Sequence, residues 1–474
     1  MHLRLALLLI AVGCGKGASE QAAPGPRLFT DDELARFERG LQDRLAETAK
    51  RACPRPVVRE PGTDGPAAAD LVVLVEPTGT LVCLPEIGKL ASSSSIEVGT
   101  LVETRAPRLL DLEAMCGDEL EQAVRKAAAH RDACSPFQLG LRKDPDTWMN
   151  VMYGAHLLGL RARLSAERGT PAFALWMLLD GAAAFRDLGR GRVGLIGSMI
   201  AVASTDLLLE QARAILTVAT LAPADLDALI AGVDALVASE PPFAETLAAE
   251  RDYFELYYGM PPLKGTSWVP PGGWPDGTGP RSGSGDTGPF GTKPMTKHPR
   301  DEAGIMFAAA EGMAADRATA CPATATLKAC HEGLVTLGET AKSHDPKAIG
   351  EQLWTDLAKA VGSADTTATA HRIREAIVGV LESVAHPAFS QYAAKRAAGF
   401  ARLAAFRLHL EILRQGHCPT EGELAGPPYP ALRAPAALGD TLAVQTLAGG
   451  DLEVSPPAWA ASNKPPWRIS CKLR

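Results

Sequence analysis

The distribution of alanine constrains the fold of this chain more than any other feature of its sequence. The 474 residues include 80 alanines and only 25 aromatic residues. Alanine has the highest helix propensity of all residues, so this excess favours helices. Alanine is absent from Arg251 to Glu302 but abundant on both sides of that segment. We therefore expect an all-α fold of stacked helical hairpins in two parts.

The alanine-free stretch includes a segment dominated by residues that break helices. Residues 259–300 contain ten glycines and nine prolines. Such a composition buries too little apolar surface to offset the entropy lost on ordering, so it predicts a linker. Taken in order, the sequence predicts these parts: a signal peptide (1–13), a tether (14–30), a small cap of mixed structure (31–112), a helical domain (113–258), the linker (259–300), a second helical domain (301–415) and an irregular tail (416–474).

Local signals support this organisation. Thr30-Asp31-Asp32-Glu33 has the capping-box pattern, and the apolar residues that follow it at Leu34, Phe37, Leu41 and Leu45 share one helical stripe. Breaks at Arg168–Pro171, Gly189–Gly191, Pro223, Pro241-Pro242, Pro322 and Pro387 divide the rest into helices. Within the cap, residues 71–76 and 80–84 flank Pro77-Thr78-Gly79, which suggests a hairpin. A short hairpin is also expected near residues 442–454.

The charge balance excludes one class of partner. The chain has 48 basic and 55 acidic side chains, and no block of five or more Lys or Arg. A net charge of −7 repels phosphate groups. We therefore expect no nucleic-acid partner.

The amino terminus has the organisation of an export signal. His2 and Arg4 form a short polar start, residues 5–12 are uninterruptedly apolar, and Ala11-Val12-Gly13-Cys14 ends the run. Eight apolar residues are too few for a membrane-spanning helix, which needs roughly 20. This segment resembles the lipoprotein signals of bacteria, in which small residues precede a cysteine that receives a diacylglyceryl group and, after cleavage, an acyl chain such as palmitate.

The resemblance implies that Cys14 is the lipidated residue and that the chain is attached to a membrane. In this class an aspartate directly after the cysteine retains the protein in the inner membrane, and Gly15 stands there instead. The resemblance therefore implies the outer membrane of a bacterial envelope. The alternative is a secreted protein that is cut at the same bond, because Ala11 and Gly13 also satisfy the rule for ordinary signal cleavage.

A weaker resemblance concerns the helical body. Residues 402–424 combine a helix with the step Arg414-Gln415-Gly416-His417-Cys418-Pro419. This helix-to-loop step is similar to one found in many uncharacterised helical envelope proteins of bacteria. It covers about twenty residues and implies no particular activity.

The cysteine count changes meaning once Cys14 is assigned to lipidation. Eight cysteines remain, and an exported protein lies in a compartment where disulfides persist. They form four local couples along the chain, and we expect pairing within each couple: Cys53 with Cys83, Cys116 with Cys134, Cys321 with Cys330, and Cys418 with Cys471. The alternative is a zinc site built from Cys330-His331 and His417-Cys418. It is less favoured because neighbouring helical side chains diverge by about 100°, so we predict no metal and no other cofactor.

A candidate catalytic site lies in the helical pair that we expect on either side of Gly169. Asp180 is the only charge between Pro171 and Phe185, and His156 lies in an otherwise apolar row. If the helices fold back around Gly169, Asp180 comes opposite Gly159 and within one turn of His156 and Arg161. The functional interpretation is an acid/base pair oriented by Arg161. The structural interpretation, a buried ion pair that fixes the helix register, is favoured because a buried charge needs such a partner anyway.

No motif of a known reaction accompanies these residues. The sequence contains no H-E-x-x-H, G-x-S-x-G, S-x-x-K or P-loop pattern. We therefore expect an exported, lipid-anchored envelope protein that acts as a binding or structural module, with the membrane and an envelope protein as partners. An envelope enzyme that uses the His156, Asp180 and Arg161 cluster is the alternative.

Overall fold

The computed structural model describes residues 28–50, 63–66, 74, 81–94, 97–132, 145–190, 194–260, 299–342, 366–460 and 464–471. Helices account for 76% of these residues and strands for 4%, so the all-α prediction is confirmed, with a small sheet near the carboxyl end. The signal peptide, Cys14, most of the tether, Cys53, Cys134 and residues 261–298 of the linker lie outside the described residues.

Fourteen α-helices are present in the described part of the chain. In order they are α1 (Asp31–Lys50), α2 (Cys83–Ser94), α3 (Val98–Thr104), α4 (Pro107–Ala129), α5 (Pro145–Glu167), α6 (Pro171–Leu188), α7 (Gly194–Leu216), α8 (Pro223–Ala238), α9 (Phe243–Phe254), α10 (Pro299–Ala320), α11 (Leu327–Lys342), α12 (Thr366–Gln415), α13 (Glu421–Leu424) and α14 (Tyr429–Arg433). A π-helical turn, Glu255–Gly259, continues α9. Five helices (α4, α5, α6, α8 and α10) begin at a proline, whose missing N–H would have no partner in the first turn.

The strands form two small sheets. β1 (Thr63–Pro66) and β2 (His130–Asp132) pair in parallel, with Thr63 opposite His130. β3 (Ala443–Thr446), β4 (Leu452–Ser455) and β5 (Trp467–Ile469) form an antiparallel sheet in that order. The hairpin predicted near residues 442–454 is confirmed as β3 and β4. The tail is nevertheless more ordered than predicted, because β5 and the short helices α13 and α14 were not expected.

Contacts divide the chain into two compact units that interleave along the sequence. The first unit contains Met1–Lys50, Leu247–Ala323 and Cys330–Gln391, and the second contains Arg51–Thr246, Thr324–Ala329 and Tyr392–Arg474. Each unit thus gathers segments that are distant in sequence. The domain boundaries inferred from composition divide the chain into consecutive segments, which is a different kind of division. They stay a prediction.

The core of the first unit forms around the amino-terminal helix. Thr30 and Glu33 make the predicted capping box, since the backbone N–H of Thr30 donates to Glu33 Oε2 at 2.8 Å and that of Glu33 donates to Thr30 Oγ1 at 3.2 Å. The Phe37 ring stacks on Phe307 of α10, with ring centroids 5.4 Å apart. Leu34 and Leu41 are fully buried in the same cluster. The predicted apolar stripe of α1 is therefore confirmed as its packing face.

A buried carboxyl group lies beside this core, in the π-helical turn. Glu255 is only 1% exposed and forms an ion pair with Arg44 of α1, whose Nε also donates to Asp252 Oδ1 at 2.9 Å. Burial raises the pKa of Glu255 to about 7, against the attraction of Arg44 and Arg251, while Asp252 and Glu311 add repulsion. Glu255 therefore titrates near neutral pH.

The second unit is centred on three helices, α5, α6 and α7, which all pack against one another. Gly169 has φ +89° in the turn between α5 and α6, a conformation that side chains disfavour. A Cβ on Gly181 would lie only 2.6 Å from Leu158 Cδ2. Leu158 and Gly181 are adjacent to the predicted facing pair Gly159 and Asp180, so the predicted register of this hairpin is confirmed.

Helix α7 of the second unit is both long and apolar. By length and composition alone it is the one helix among the described residues that qualifies as a candidate membrane span, and half of its most apolar window is buried within the protein. A Cβ on Gly189 at the end of α6 would lie 2.6 Å from Ala201 Cβ. The small residues of α7 thus allow α6 to approach closely, as expected for a core helix.

Two expectations for the cap are wrong. Cys83 and Leu84 do not belong to a strand but begin α2, where they and Ile87 are fully buried on one side of the helix. Because α2 packs against α4, Cys83 forms a disulfide with Cys116, with a Cα–Cα distance of 6.3 Å. The predicted couples Cys53–Cys83 and Cys116–Cys134 are therefore incorrect.

The two other predicted pairings are confirmed. Cys321 pairs with Cys330 across the connection from α10 to α11, with a Cα–Cα distance of 4.3 Å, and Cys418 pairs with Cys471 at 5.5 Å. The second of these disulfides ties the end of the chain to the segment after α12. One predicted break is absent, since α12 continues through Pro387.

The raised pKa of Glu255 predicts a pH-dependent stability. Its folded-state pKa of about 7 exceeds the ordinary value of 4.5, so its contribution to the free energy of unfolding is complete below pH 4.5 and is lost as the pH rises through 7. Between pH 5 and pH 8, urea unfolding should show the wild type losing roughly 2.5 kcal/mol more than Glu255→Gln. The exposed Glu332→Gln variant serves as the matched control and should behave as the wild type. Identical pH profiles for Glu255→Gln and the wild type would contradict this assignment.

Candidate functional site

The three residues proposed from the sequence as a catalytic cluster have different surroundings. Arg161 of α5 binds carboxylates of α4: its Nη1 donates to Glu113 Oε1 at 2.8 Å and its Nε to Glu121 Oε2 at 2.6 Å, and it also contacts Asp118. These three acidic residues are the ion-pair partners of the Arg161 guanidinium among the described residues. Arg161 therefore joins α5 to α4, and the proposed ion pair with Asp180 stays a prediction.

The described neighbours of Asp180 and His156 are different. Asp180 is 3% exposed and borders a cavity of about 10 Å³ together with Glu121, Phe173 and Met177. A cavity of that size holds at most a single water. His156 instead faces α3, where its Cε1 lies 3.7 Å from the position of a Cβ on Gly99. Burial and the nearby Lys464 lower the pKa of His156 to about 4, so its imidazole is neutral at pH 7. Its catalytic role stays a prediction.

The alternative zinc site loses its thiolate ligands. Cys330 and Cys418 are both in disulfides, which leaves His331 and His417 without the neighbouring thiolates that the zinc hypothesis requires. Among the described residues there is no group of three or more His, Cys, Asp or Glu that is placed to hold a metal ion.

A different site, which was not predicted from the sequence, lies in the second unit. It is a cavity of about 50 Å³ between the end of α6, one face of α7, the start of α9 and α12. We call it the arginine cleft. Its charged lining consists of Arg186, Arg190, Glu240, Glu245 and Arg396, and its apolar lining includes Ala201, Val202, Phe400 and Leu403.

Arg396 is the structural anchor of the arginine cleft. Its Nε donates to Glu240 Oε1 at 3.0 Å and its Nη1 to Thr246 Oγ1 at 3.1 Å, while Nη2 donates to the carbonyl oxygen of Pro241. The side chain is 7% exposed. Arg396 thus holds the connection between α8 and α9 against α12. The close approach of α12 to α7 is possible because Gly399 faces Val202, whose Cγ1 would lie 3.0 Å from an added Cβ.

Arg186 and Arg190 each lie 3.8 Å from a glutamate of the lining, farther than Arg396 lies from Glu240. Arg186 donates to the carbonyl oxygen of Leu236 at 2.7 Å and to Ser239 Oγ at 2.9 Å, and its distance to Glu240 Oε2 is 3.8 Å. Arg190 is 9% exposed, and its Nη2 lies 3.8 Å from Glu245 Oε2, which is too far for a hydrogen bond. The Nε of Arg190 is buried and has no hydrogen-bond partner among the described residues.

Hydroxyl groups complete the polar lining. Ser198 Oγ and Thr246 Oγ1 are 3.3 Å apart and share a hydrogen bond. Thr205 Oγ1 is buried without a partner among the described residues. No histidine, cysteine or aspartate is found among the described residues that line the cleft. The arrangement supplies hydrogen-bond donors and positive charge rather than an acid/base pair.

The sequence carried a partial signal for this site. Ser198, Ala201, Val202 and Thr205 share one helical face, and so do Arg396, Gly399, Phe400 and Leu403. Arg396 lies at the end of the second face, whose other residues are small or apolar, and this pattern suggests that Arg396 is buried. What the sequence does not show is that these two faces meet, because about 200 residues separate them.

Comparisons with known proteins give no further assignment. No protein-family profile, curated protein or solved structure matches the chain.

The contacts of Arg396 predict a strong energetic coupling. Arg396→Gln leaves Glu240 buried without its closest cation, so the free energy of unfolding should fall by about 3 kcal/mol. Glu240→Gln should also be destabilising. The double variant should lose less than the sum of the two single losses, by about 1 to 3 kcal/mol, because each single change leaves an uncompensated charge. Urea unfolding of the four proteins measures this cycle, with the exposed Arg168→Gln as the control. Strict additivity would show that the pair does not interact.

Proposed function

We propose that the chain is an exported lipoprotein of the bacterial envelope, attached through Cys14 to the outer membrane, whose helical body is a binding module with the arginine cleft as its ligand site. The attachment is supported by Ala11-Val12-Gly13-Cys14 after an apolar run and by Gly15 in place of a retaining aspartate. Three disulfides among the described residues support an oxidising compartment.

The single observation that carries the binding role is a cavity of about 50 Å³ whose described lining is rich in guanidinium groups. Arg186, Arg190 and Arg396 all border it, together with Glu240 and Glu245. The cavity has room for about three or four water-sized groups. Guanidinium groups are strong hydrogen-bond donors to the polar groups of a ligand.

The binding role is favoured over the enzyme alternative by the contacts of the charged groups. Arg161 is already engaged by three carboxylates, and the pKa of His156 lies well below neutrality. The arginine cleft has hydrogen-bond donors but no histidine among its described lining. Such a lining is suited to recognising a ligand. The membrane anchor would keep this binding module at the envelope.

The lipid anchor is tested by replacing the sulfur atom of Cys14 with oxygen. We expect Cys14→Ser to move the protein from the membrane fraction to the soluble fraction or to leave it unprocessed, since the hydroxyl cannot form the thioether. The neighbouring Ala18→Ser variant should stay in the membrane fraction. Mass spectrometry of the native amino terminus should find acylated Cys14. An unacylated Cys14 on a correctly cut protein would favour the secreted alternative instead.

The binding role is tested by filling the arginine cleft. Val202→Phe places a larger side chain in the cavity without removing a charge. A small-molecule extract of the periplasm should raise the thermal unfolding midpoint of the full wild-type chain but not that of Val202→Phe. Val218 is 68% exposed and does not line the cleft, so Val218→Phe is the matched control. An extract that stabilises neither protein, or both equally, would contradict the proposed ligand site.

A further inference from the structure

We propose that one face of α7 is a contact surface for a second copy of this chain, and that the two α7 helices pack antiparallel across it. We call this face the outer stripe. It lies on the other side of α7 from the residues that line the arginine cleft, so the inference goes beyond the proposed ligand site. The outer stripe consists of five apolar residues: Ile196, Ile200, Ala203, Leu207 and Ala214.

The outer stripe is an apolar surface that the protein leaves open to solvent. At 100° per residue, its five side chains lie within about 60° of one another around the helix axis. None of them is buried, and Ile196 is 57% exposed. The buried residues Ala201 and Leu208, which face α6, project about 100° or more away from the centre of the stripe. A contiguous apolar surface of this kind marks a place of contact with another molecule.

The charges around the outer stripe favour a second copy over a lipid surface. The chain has a net charge of −7, so two copies repel each other except where they meet without charge, as they would here. Glu210 borders the stripe, but it is paired within the protein, with Arg213 at 3.1 Å and with Arg402 of α12. Helices that lie on a bilayer carry Lys and Arg beside their apolar face. The positions that border this stripe (199, 204, 210 and 211) include neither.

The order of large and small residues along the outer stripe complements itself. The middle of α7 is Thr205, and an antiparallel second copy centred there places Ile196 opposite Ala214 and Leu207 opposite Ala203. Each contact occurs twice, because the pair has two-fold symmetry. A large side chain therefore meets a small one at four places, which allows close packing. A parallel pair would instead set Ile196 against Ile196 and Ala214 against Ala214.

The length of α7 determines how strong this pairing is. Its 23 residues extend for roughly 35 Å, and a helix is about 10 Å wide, so one copy offers roughly 350 Å². Stable complexes bury about 800 Å² on each partner. Pairing through α7 alone is therefore weak and reversible, and a covalent trap at a chosen position is the appropriate way to detect it.

Cross-linking of introduced cysteines tests the antiparallel register. Cells that produce the full chain are treated with a short, membrane-permeant bismaleimide. We expect Ala203→Cys to give a covalent dimer, because the two copies of position 203 are only about 6 Å apart along the helix axis. Ala214→Cys alone should give none, since its two copies are about 27 Å apart. The double variant Ile196→Cys/Ala214→Cys should give a dimer.

Matched variants control for reactivity and for charge. Ala228 of α8 is exposed and lies outside α7, so Ala228→Cys should react with the reagent without forming a dimer. The wild type defines the reactivity of the native cysteines. Adding Ile196→Glu to Ala203→Cys should lower the yield of dimer by about tenfold or more, because the new charge would be buried without a partner. Adding Ala228→Glu should leave the yield unchanged.

Each contrary outcome overturns the proposal in a recognisable way. A dimer from Ala214→Cys alone would show parallel pairing. If Ala203→Cys forms no dimer and reacts with a lipid-soluble maleimide but not with a water-soluble one, the stripe lies in lipid. If it forms no dimer and reacts with both, the stripe faces solvent in the cell. None of these outcomes concerns the arginine cleft. Far-ultraviolet circular dichroism and the unfolding midpoint of each variant verify that it folds.

Discussion

The second unit depends on three buried arginines in the carboxyl-terminal half of one helix. Arg396, Arg402 and Arg407 of α12 are each at most 10% exposed in their side chains. A buried guanidinium is tolerated only where carboxylates lie beside it, because its desolvation costs several kcal/mol. The required partners come from several other positions: Glu240 for Arg396, Asp206 and Glu210 for Arg402, and Asp234 and Glu411 for Arg407. Pairing these charges fixes where α7 and α8 lie against α12.

The same requirement ties down the end of the chain. Lys464 forms an ion pair with Asp206, the residue that Arg402 also binds at 2.8 Å. Trp467 of β5 donates from its indole Nε1 to His409 Nδ1 at 3.3 Å. Complete burial lowers the pKa of His409 to about 3, which keeps its ring neutral and able to accept this hydrogen bond. With the Cys418–Cys471 disulfide, these contacts explain why a tail rich in proline is ordered.

The parts of this fold that could be predicted from sequence are those fixed by neighbouring residues. Thr30 and Glu33 are three positions apart, and the positive φ of Gly169 concerns only the turn that contains it, so the capping box and the turn could both be predicted. The disulfide Cys83–Cys116 was not, because its prediction required knowing that Cys83 begins a helix rather than ends a hairpin. The pairing of Arg396 with Glu240 spans 156 residues and leaves no local pattern. Local sequence preferences therefore predict the helices and turns, whereas the side chains that meet in a site depend on contacts between distant parts of the chain.

Two arginines, Arg161 in the cluster predicted from the sequence and Arg190 in the arginine cleft, illustrate the difference between local and long-range contacts. Arg161 drew attention in the sequence because it is a charge within an apolar helical pair, yet three carboxylates of α4 already satisfy it. Arg190 stood in a segment interpreted only as a helix break, yet in the structure it borders a cavity, and its Nη2 lies 3.8 Å from Glu245 Oε2. An arginine whose partners are all within the protein serves the fold. An arginine that borders a cavity, as Arg190 does, is placed to contact a ligand, so the cleft at the end of α6 is a better candidate for a binding site than the residues around Arg161.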